Sequence, residues 1–387
     1  MKKMGMHFGA GAIGRGFIGK LIADAGWDLV FVDVNEPLIS YLQKNPTYTV
    51  HIATENKRSE TVTIKDAVLL SDTPAVLEKG RSAALLTCAV GPTILPILAK
   101  TIAAIIKDRK DHNVPQVLHI IACENMIRAS TALKKYVLDN IGQNYHEYLE
   151  EHIAFVDSAV DRIVPPQESK EMTADVLVEE FYEWIIDSTQ TKDGFAIKGA
   201  QPVDNLLAYI ERKLFIVNGG HATCAYLGYL YGYKTIKDSM EDANIYALVQ
   251  NVMKESASTL TAHYKMDQNM LHSYIEKILQ RFVNPYLKDE VTRVGRQPLR
   301  KLAPNERFIL PLRRTEEYGL PHEHLTKAIA AALLFDYADD PEAQSLQQQI
   351  QEKNLSDVIN AITENTLPVT TVSLICEQYD ALKAVKK

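Results

Sequence analysis

The chain has 387 residues, 46% of them apolar and 24% charged, with a formal net charge of −7 at neutral pH. That length suits about two domains, each able to bury most of its surface, and the mild negative balance argues against nucleic acid or an acidic membrane as the main partner. The longest apolar runs, Ala83 to Val90 and Val117 to Cys123, are strand-sized and too short to span a bilayer.

From the N-terminus, an apolar run at Met4 to Phe8 leads directly into GAGAIGRG. A strand so early leaves no room for a signal peptide. Gly9, Gly11 and Gly14 have dinucleotide-binding spacing, and the stretch from Phe17 to Ala25 reads as the helix that follows. A second run, Leu29 to Val32, ends in Asp33, nineteen positions after Gly14. Strand, glycine turn, helix, strand and acid form the whole fingerprint, which is far more specific than a lone glycine triplet. Gly9 would permit the tight turn, Gly11 the approach of a pyrophosphate to the backbone, and Gly14 close packing of helix on strand. The candidate cofactor residues are Phe8, Gly9, Ala10, Gly11, Ala12, Ile13, Gly14 and Arg15 around the turn, with Asp33 for an adenosine ribose diol. An acid there repels a 2′-phosphate and favours NAD over NADP, while FAD proteins use a similar fingerprint.

Short β-branched runs alternate with amphipathic stretches through the first ~190 residues, the pattern of a parallel sheet with crossover helices. Tyr48 to Ala53 and Thr61 to Ile64 read as a hairpin or an elaborated crossover. Ala83 to Val90 precedes Gly91-Pro92 and a helix over Thr93 to Ile106. Val117 to Cys123 precedes Glu124-Asn125 and another helix. Residues after strand C-termini line the ligand crevice of such a sheet, which places Gly91 and Asn125 there by topology. Ile153 to Val160 and Val176 to Phe181 read as further strands. Helical periodicity takes over from about Asp204, at Leu206 to Leu230, Ile236 to Tyr264, Leu325 to Tyr337 and Val372 to Val385. The glutamine-rich Gln344 to Gln351 reads as a solvated helix face. The expected architecture is an α/β Rossmann-type doubly wound sheet over residues 1–195, followed by a mainly helical substrate and catalytic domain over residues 196–387.

Within the helical part, ERKLFIVNGGH from Glu211 to His221 carries an amine, an amide and an imidazole. On an ideal α-helix at ~100° per residue, Asn218 lies roughly 140° and His221 roughly 80° around from Lys213, so the three point off one side and face a single small volume. Leu214, Phe215, Ile216 and Val217 would bury that volume, and desolvation lowers a lysine towards proton exchange near neutrality. Gly219 and Gly220 would let a flat ligand approach the backbone. Oxidation of a carbinol needs a proton acceptor and donors that stabilise the developing carbonyl oxygen. Lys213 fits the first role, Asn218 and Asn125 the second, and His221 could hold the lysine or a substrate hydroxyl. The scheme requires no metal. His322 and His324 stand beside Pro321 with no cysteine or third histidine nearby, and Cys88, Cys123, Cys224 and Cys376 are widely spread, as free thiols in a reducing cytoplasm would be.

Four motifs in order, HFGAGAIGRGFIG at the N-terminus, CENM at Cys123 to Met126, VDRIVP at Val160 to Pro165 and Lys213-x4-Asn218-x2-His221, make essentially the whole chain resemble the polyol-specific long-chain dehydrogenases. The resemblance implies reversible, metal-independent oxidation of D-mannitol 1-phosphate to D-fructose 6-phosphate with NAD, in the cytoplasm. It carries the family's general acid/base onto Lys213, its carbonyl-polarising asparagines onto Asn125 and Asn218, and its histidine onto His221. Ala12 stands where relatives often have asparagine, and the glycine spacing is intact.

A phosphorylated substrate needs its own residues. RVGRQPLRK, from Arg293 to Lys301, holds four cations in nine positions, with Gly295 and Pro298 against a plain solvated helix. Arg296 and Arg300 are the first choices for bidentate phosphate binding and Arg293 and Lys301 the next. Pairing of the arginines with Asp289 or Glu290 is the competing reading. Dehydrogenases of 6-phosphogluconate or β-hydroxyacids, enzymes for free mannitol or a hexuronate, and a non-catalytic NAD sensor are the alternative functions. A monomer and a small homo-oligomer both remain open.

Overall fold

The computed structural model describes residues 2–165, 173–286 and 289–384. The chain divides into two compact units, Met1–Leu206 and Leu207–Lys387.

In the first unit the strands are β1 (Met4–Phe8), β2 (Asp28–Asp33), β3 (Thr47–Ile52), β4 (Ser59–Thr63), β5 (Asp66–Leu69), β6 (Leu85–Cys88), β7 (Leu118–Ala122), β8 (Ile153–Phe155), β9 (Ser158–Asp161), β10 (Val176–Val178), β11 (Glu183–Asp187) and β12 (Gln201–Val203). Six form one parallel sheet in the order β5-β2-β1-β6-β7-β8. Counting only these six, the order is 3-2-1-4-5-6, the doubly wound arrangement of dinucleotide-binding proteins. Every residue of β6 and β7 is buried, as expected of strands covered by helices on both faces. The strand order reverses between β1 and β6, so Gly9 and the Ala89–Gly91 turn stand side by side at the switch point. Two three-stranded sheets flank it, β10-β3-β4 and β12-β11-β9.

Several expectations are refined. Tyr48 to Ala53 and Thr61 to Ile64 do form an antiparallel hairpin, with Val50 opposite Glu60. The strand β5, only four residues long, escapes a search for longer apolar runs, yet it forms the sheet edge. Ile153 to Val160 is two strands in different sheets. The break falls at buried Asp157, whose N–H donates to Gln190 Oε1 (2.6 Å) while its carboxylate accepts the Thr131 N–H (2.8 Å). The division expected after residue 195 moves to Leu206, because β12 pairs in parallel with β11 and belongs to the first unit.

The second unit is helical. A continuous helical run over 206–230 is followed by Ala243–Tyr264, Gln268–Phe282, Ile309–Tyr318, Glu323–Leu333, Pro341–Glu352, Leu355–Ile362 and Val369–Lys383, with shorter helices between. Its only extended pairing among the described residues is the isolated bridge between Thr235 and Glu290. The run Ile236 to Tyr264 is broken at Asp242, which caps the long helix by accepting the N–H groups of Asn244 (2.8 Å) and Ile245 (3.3 Å).

Arg109 shows how the first unit secures its loops. This fully buried guanidinium donates to the carbonyls of Gly80 (3.0 Å), Arg81 (2.8 Å), Ala83 (2.9 Å) and Gln116. It thus satisfies the C-terminal end of helix Thr73–Ser82 and both turns entering β6 and β7. Arg109→Met would strand those acceptors, each costing ~1–3 kcal/mol when buried without a partner. We expect a loss of about 3 kcal/mol or more in urea unfolding, and a loss below 1 kcal/mol would show that other groups replace the guanidinium.

Candidate active site

The glycine turn is built as the sequence reading requires, with one conformational surprise. Gly9 has φ 96°, and its N–H donates to the Val32 carbonyl (2.9 Å). A Cβ on Gly9 would lie 2.6 Å from the Ala89 carbonyl oxygen, and one on Gly14 would run into the Gly9 carbonyl oxygen and lie 2.8 Å from His7 Nε2. Gly11, by contrast, is exposed, and a Cβ there would meet nothing within 4 Å. The first and third glycines therefore serve packing, while the second leaves open space beside the backbone. His7 lies buried under the turn with Nδ1 2.6 Å from Thr87 Oγ1, and burial drives it down to about 3, so it stays neutral.

The surprise is that Gly14–Ile18 forms a π-turn before the α-helix Gly19–Asp24, with the Gly19 N–H bonded to the Gly14 carbonyl. Two carbonyls in this wider turn are claimed by side chains. Tyr48 Oη donates to the Arg15 carbonyl (2.7 Å) and Arg162 Nη1 to the Gly16 carbonyl (2.9 Å). Arg162, the arginine of VDRIVP, also donates to the Glu179 carbonyl and lies over the rings of Phe17 and Tyr182. The motif was visible in the sequence, but its task was not. Arg15 faces away from any ligand: it is buried, and its guanidinium donates to the carbonyls of Ala10 and Ala174 (2.7 Å to the latter). It buttresses the turn from within, a correction to its reading as a cofactor contact. Phe8 and Ala10 are likewise buried beneath the turn, whereas Ile13 is exposed and Ala12 half-buried.

Asp33 sits half-buried at the end of β2. One carboxylate oxygen accepts the Ala10 N–H (2.6 Å) and the other the Asn35 N–H (2.9 Å), so the acid ties the second strand to the glycine turn. Beyond β7, Asn125 is exposed. Its neighbour Glu124 is buried and accepts the N–H groups of Val90 (2.8 Å) and Gly91 (3.1 Å), joining the two loops beside the switch point. Burial raises the Glu124 carboxyl above its ordinary value, against the pull of those two N–H donors.

In the second unit, Lys213–Asn218 is a second π-turn, inserted between the α-helical stretches Leu206–Arg212 and Gly219–Leu230. The Gly219 N–H reaches the Leu214 carbonyl five residues back. An i→i+5 turn advances only ~80–85° per residue, which brings Asn218 to within ~40–65° of Lys213 and His221 to within ~20°. The geometry of such a turn thus draws the three positions, read as one side of an α-helix, closer together on one face. Phe215, Ile216 and Val217 are buried beneath them, while Lys213, Leu214 and Asn218 are half-buried. The turn is anchored by Glu211, whose carboxylate pairs with buried Arg314 (Nη2 to Oε1 3.0 Å), and by Arg212, stacked 3.9 Å from the Tyr274 ring centroid. Gly219 and Gly220 do not present backbone to a ligand. Both are buried: a Cβ on Gly220 would strike the Met253 side chain of helix Ala243–Tyr264, and one on Gly219 would lie 3.3 Å from the Arg307 carbonyl oxygen, so they allow close packing.

His221 Nε2 lies 2.9 Å from Asp289 Oδ2, and its ring stacks on Phe282 with centroids 4.9 Å apart. Asp289 also pairs with Arg293. The four cations of RVGRQPLRK are therefore not equivalent. Arg293 is held by Asp289. Lys301 is buried, its ammonium on the Arg296 carbonyl, and burial together with the charges of Arg307 and Arg300 pulls it down to about 7. Arg300 bonds Gln297 Oε1 (3.0 Å) and lies 3.5 Å from Glu306. Arg296 is exposed, and among the described residues no carboxylate pairs with it. Elsewhere, His324 Nδ1 is 2.7 Å from buried Glu255 and His322 Nε2 3.5 Å from Glu316. Among the described residues no group of three or more histidines, cysteines or acids could hold a metal ion, and no helix is long and apolar enough to cross a membrane.

A family model for the mannitol dehydrogenase Rossmann domain matches residues 3–199, and one for the mannitol dehydrogenase C-terminal domain matches residues 205–385. Among solved structures, the chain is similar to Pseudomonas fluorescens mannitol 2-dehydrogenase in a ternary complex with NAD and D-mannitol. That likeness has a TM-score of 0.72 at 18% identity and covers 99% of this chain and 92% of the other. It is also similar to a D-sorbitol dehydrogenase in substrate-free form, with a TM-score of 0.76 at 16% identity over 100% and 95% of the two chains.

The second and third glycines of the turn separate binding from packing. Gly14→Ala should cost ~1–3 kcal/mol of unfolding free energy through overpacking, while Gly11→Ala should leave stability within ~0.5 kcal/mol and weaken NADH binding, measured by fluorescence titration. Equal stability losses in the two variants would contradict this assignment.

Proposed function

Since the chain belongs to the mannitol dehydrogenase family along both of its units, we propose that it catalyses the reversible oxidation of D-mannitol 1-phosphate to D-fructose 6-phosphate with NAD. The observation that carries this reading is the π-turn that sets Lys213, Asn218 and His221 on one face. NAD, when bound, accepts the hydride released by the carbinol carbon. Support for NAD comes from the open space at Gly11, the acid Asp33 at the end of β2 and the doubly wound strand order.

Lys213, as the neutral amine, takes the hydroxyl proton as the C–H bond breaks, and returns it in the reverse direction. Asn218 donates to the oxygen as it becomes a carbonyl, the kind of preorganised stabilisation that favours the transition state over the alcohol, and Asn125, after β7 of the first unit, is the other asparagine to which the family resemblance gives that role. His221 holds a substrate hydroxyl or the lysine. Phosphate binding falls to Arg296, with Arg300 as its second guanidinium, since Arg293 and Lys301 are held by Asp289 and by the Arg296 carbonyl. The cytoplasm is the expected compartment, given Cys88, Cys123, Cys224 and Cys376 as free thiols.

The decisive measurement is NADH absorbance on mixing the protein and NAD with mannitol 1-phosphate, using mannitol and 6-phosphogluconate as comparators and a chelator as metal control. Turnover of 6-phosphogluconate or free mannitol in preference to the phosphate would overturn the substrate. Lys213→Ala should lower kcat by at least ~10³-fold, as expected for loss of a general base and its charge, with the Kd for NADH within about twofold; loss of NADH binding would mark a structural lysine. Arg296→Ala should raise KM for the sugar phosphate by ~10–100-fold, the ~1.5–3 kcal/mol of a charge-assisted contact, with little change in kcat. An unchanged KM would remove this arginine from the phosphate site.

A further inference from the structure

His221 has its orientation imposed by neighbours that the motif Lys213-x4-Asn218-x2-His221 does not include. Its Nε2 is 2.9 Å from Oδ2 of Asp289, a residue only 8% exposed. The other carboxylate oxygen, Oδ1, accepts from Arg293 Nη2. Phe282 covers one face of the imidazole, at an interplanar angle of 24°. The backbone of Asp289 is fixed as well, because its carbonyl accepts the Ile236 N–H (2.8 Å) and the next residue, Glu290, forms the bridge to Thr235. Burial opposes ionisation of Asp289, yet its hydrogen bond and charge pairing with His221, and then Arg293, hold the carboxyl below the usual aspartate range. A carboxylate can only accept, so the imidazole must place its proton on Nε2.

Resting on the reading of His221 as a substrate-orienting residue, we propose that Asp289 is a positioning residue: clamped by Arg293, it fixes the Nε2–H tautomer of His221 so that Nδ1 is left as the acceptor for the substrate hydroxyl. With Nε2–H directed at Asp289, Nδ1 then receives a hydrogen bond from the hydroxyl that lies next to the reacting carbinol, or from Lys213, and does not donate to the carbonyl oxygen. Donation to that oxygen is left to the asparagines. Arg293 is accordingly the counterion of Asp289, which removes it from the phosphate-binding set. A carboxylate holding an imidazole in one tautomer is a recurrent device, with typical losses of ~10–100-fold when the orienting group is changed in metal sites and more in acyl-transfer triads.

Asp289→Asn keeps the shape and offers an amide that can donate to Nε2, which would move the proton to Nδ1. In protein labelled with 15N-histidine, with the His221 signals assigned by their loss in His221→Gln, the wild type should show the Nε2–H pattern and Asp289→Asn a shift toward Nδ1–H. With mannitol 1-phosphate, kcat should fall ~30–100-fold and the Kd for NADH should stay within about twofold. Combining Asp289→Asn with His221→Gln should give no further loss beyond His221→Gln alone. Arg293→Lys, which retains the charge, should stay within about threefold of wild type in kcat and in KM for the phosphate. The proposal is overturned by an Nδ1–H wild-type tautomer, by additive losses in the double variant, or by a tenfold rise in KM for the phosphate in Arg293→Lys. Because the 15N pattern is read without substrate, it stands or falls separately from the assignment of mannitol 1-phosphate. If Asp289→Asn does not fold, the wild-type tautomer and Arg293→Lys still decide the matter.

Discussion

The constraint on which the candidate catalytic group depends is the π-helical pairing of Lys213–Asn218, where the Gly219 N–H is shared between the carbonyls of Ile216 and Leu214. With ordinary α-helical pairing, Lys213 and Asn218 would diverge by roughly 140°. A single i→i+5 turn closes that angle and leaves His221, three residues further on, back in line with the lysine. The widened turn is less favourable than an α-turn in isolation, so its surroundings must determine it. They do so from both sides: Glu211 and Arg314 form a buried pair just before it, and Gly219 and Gly220 let the following helix press against Met253 and the Arg307 backbone just after it. The glycines that a sequence reader assigns to ligand approach are therefore the packing condition for the catalytic geometry.

The same device occurs at the other end of the chain. The π-turn Gly14–Ile18 begins the helix that follows the glycine loop, and the carbonyls of Arg15 and Gly16 accept from Tyr48 and Arg162. Tyr48 comes from the hairpin β3-β4, and Arg162 from the loop after β9. The two small sheets, separate from the six-stranded sheet in pairing but packed into the core on one of its faces, thus fix the shape of the turn on which the cofactor reading rests. Such dependence gives the inserted β3-β4 hairpin and the VDRIVP motif a physical role in binding without any contact to a ligand.

What was legible in the sequence followed from periodicity and from spacing at fixed offsets. The glycine turn, the acid after the second strand, the long buried strands and the helical second unit are all local signals, and each appears where it was read. The misses have non-local causes. The strand β5 is four residues long and is stabilised only by its pairing with β2. The π-turns depend on neighbours more than a hundred positions distant, such as Arg162 on Gly16 and Arg314 on Glu211. Arg15 looked like a loop cation because the sequence does not reveal which way its guanidinium folds, and the Ala174 carbonyl that receives it is 159 residues away. Asp289 was considered only as a neutralising partner for arginine, since nothing in the spacing between His221 and Asp289 announces a contact.

The run RVGRQPLRK shows why counting charges overstates a binding site. Four cations in nine residues resemble a phosphate cradle, but a cluster of that density must first manage its own repulsion and its own loop. Arg293 does so through Asp289, and Lys301 through burial against the Arg296 carbonyl, where the adjacent arginines help pull its proton affinity down. Neutralising Lys301 near physiological pH reduces the positive charge the loop must carry and lets its amine hold the backbone from which Arg296 projects. The result is a division of labour within one short segment. Arg293 and Lys301 are held within it, Arg300 bonds Gln297 and lies against Glu306, and Arg296 stays exposed, so the four cations are not four equivalent point charges. Arg293 links this segment to the helix Gly219–Leu230 through Asp289 and His221, so the loop that carries the candidate arginines and the helix that follows Lys213 are joined by one buried carboxylate.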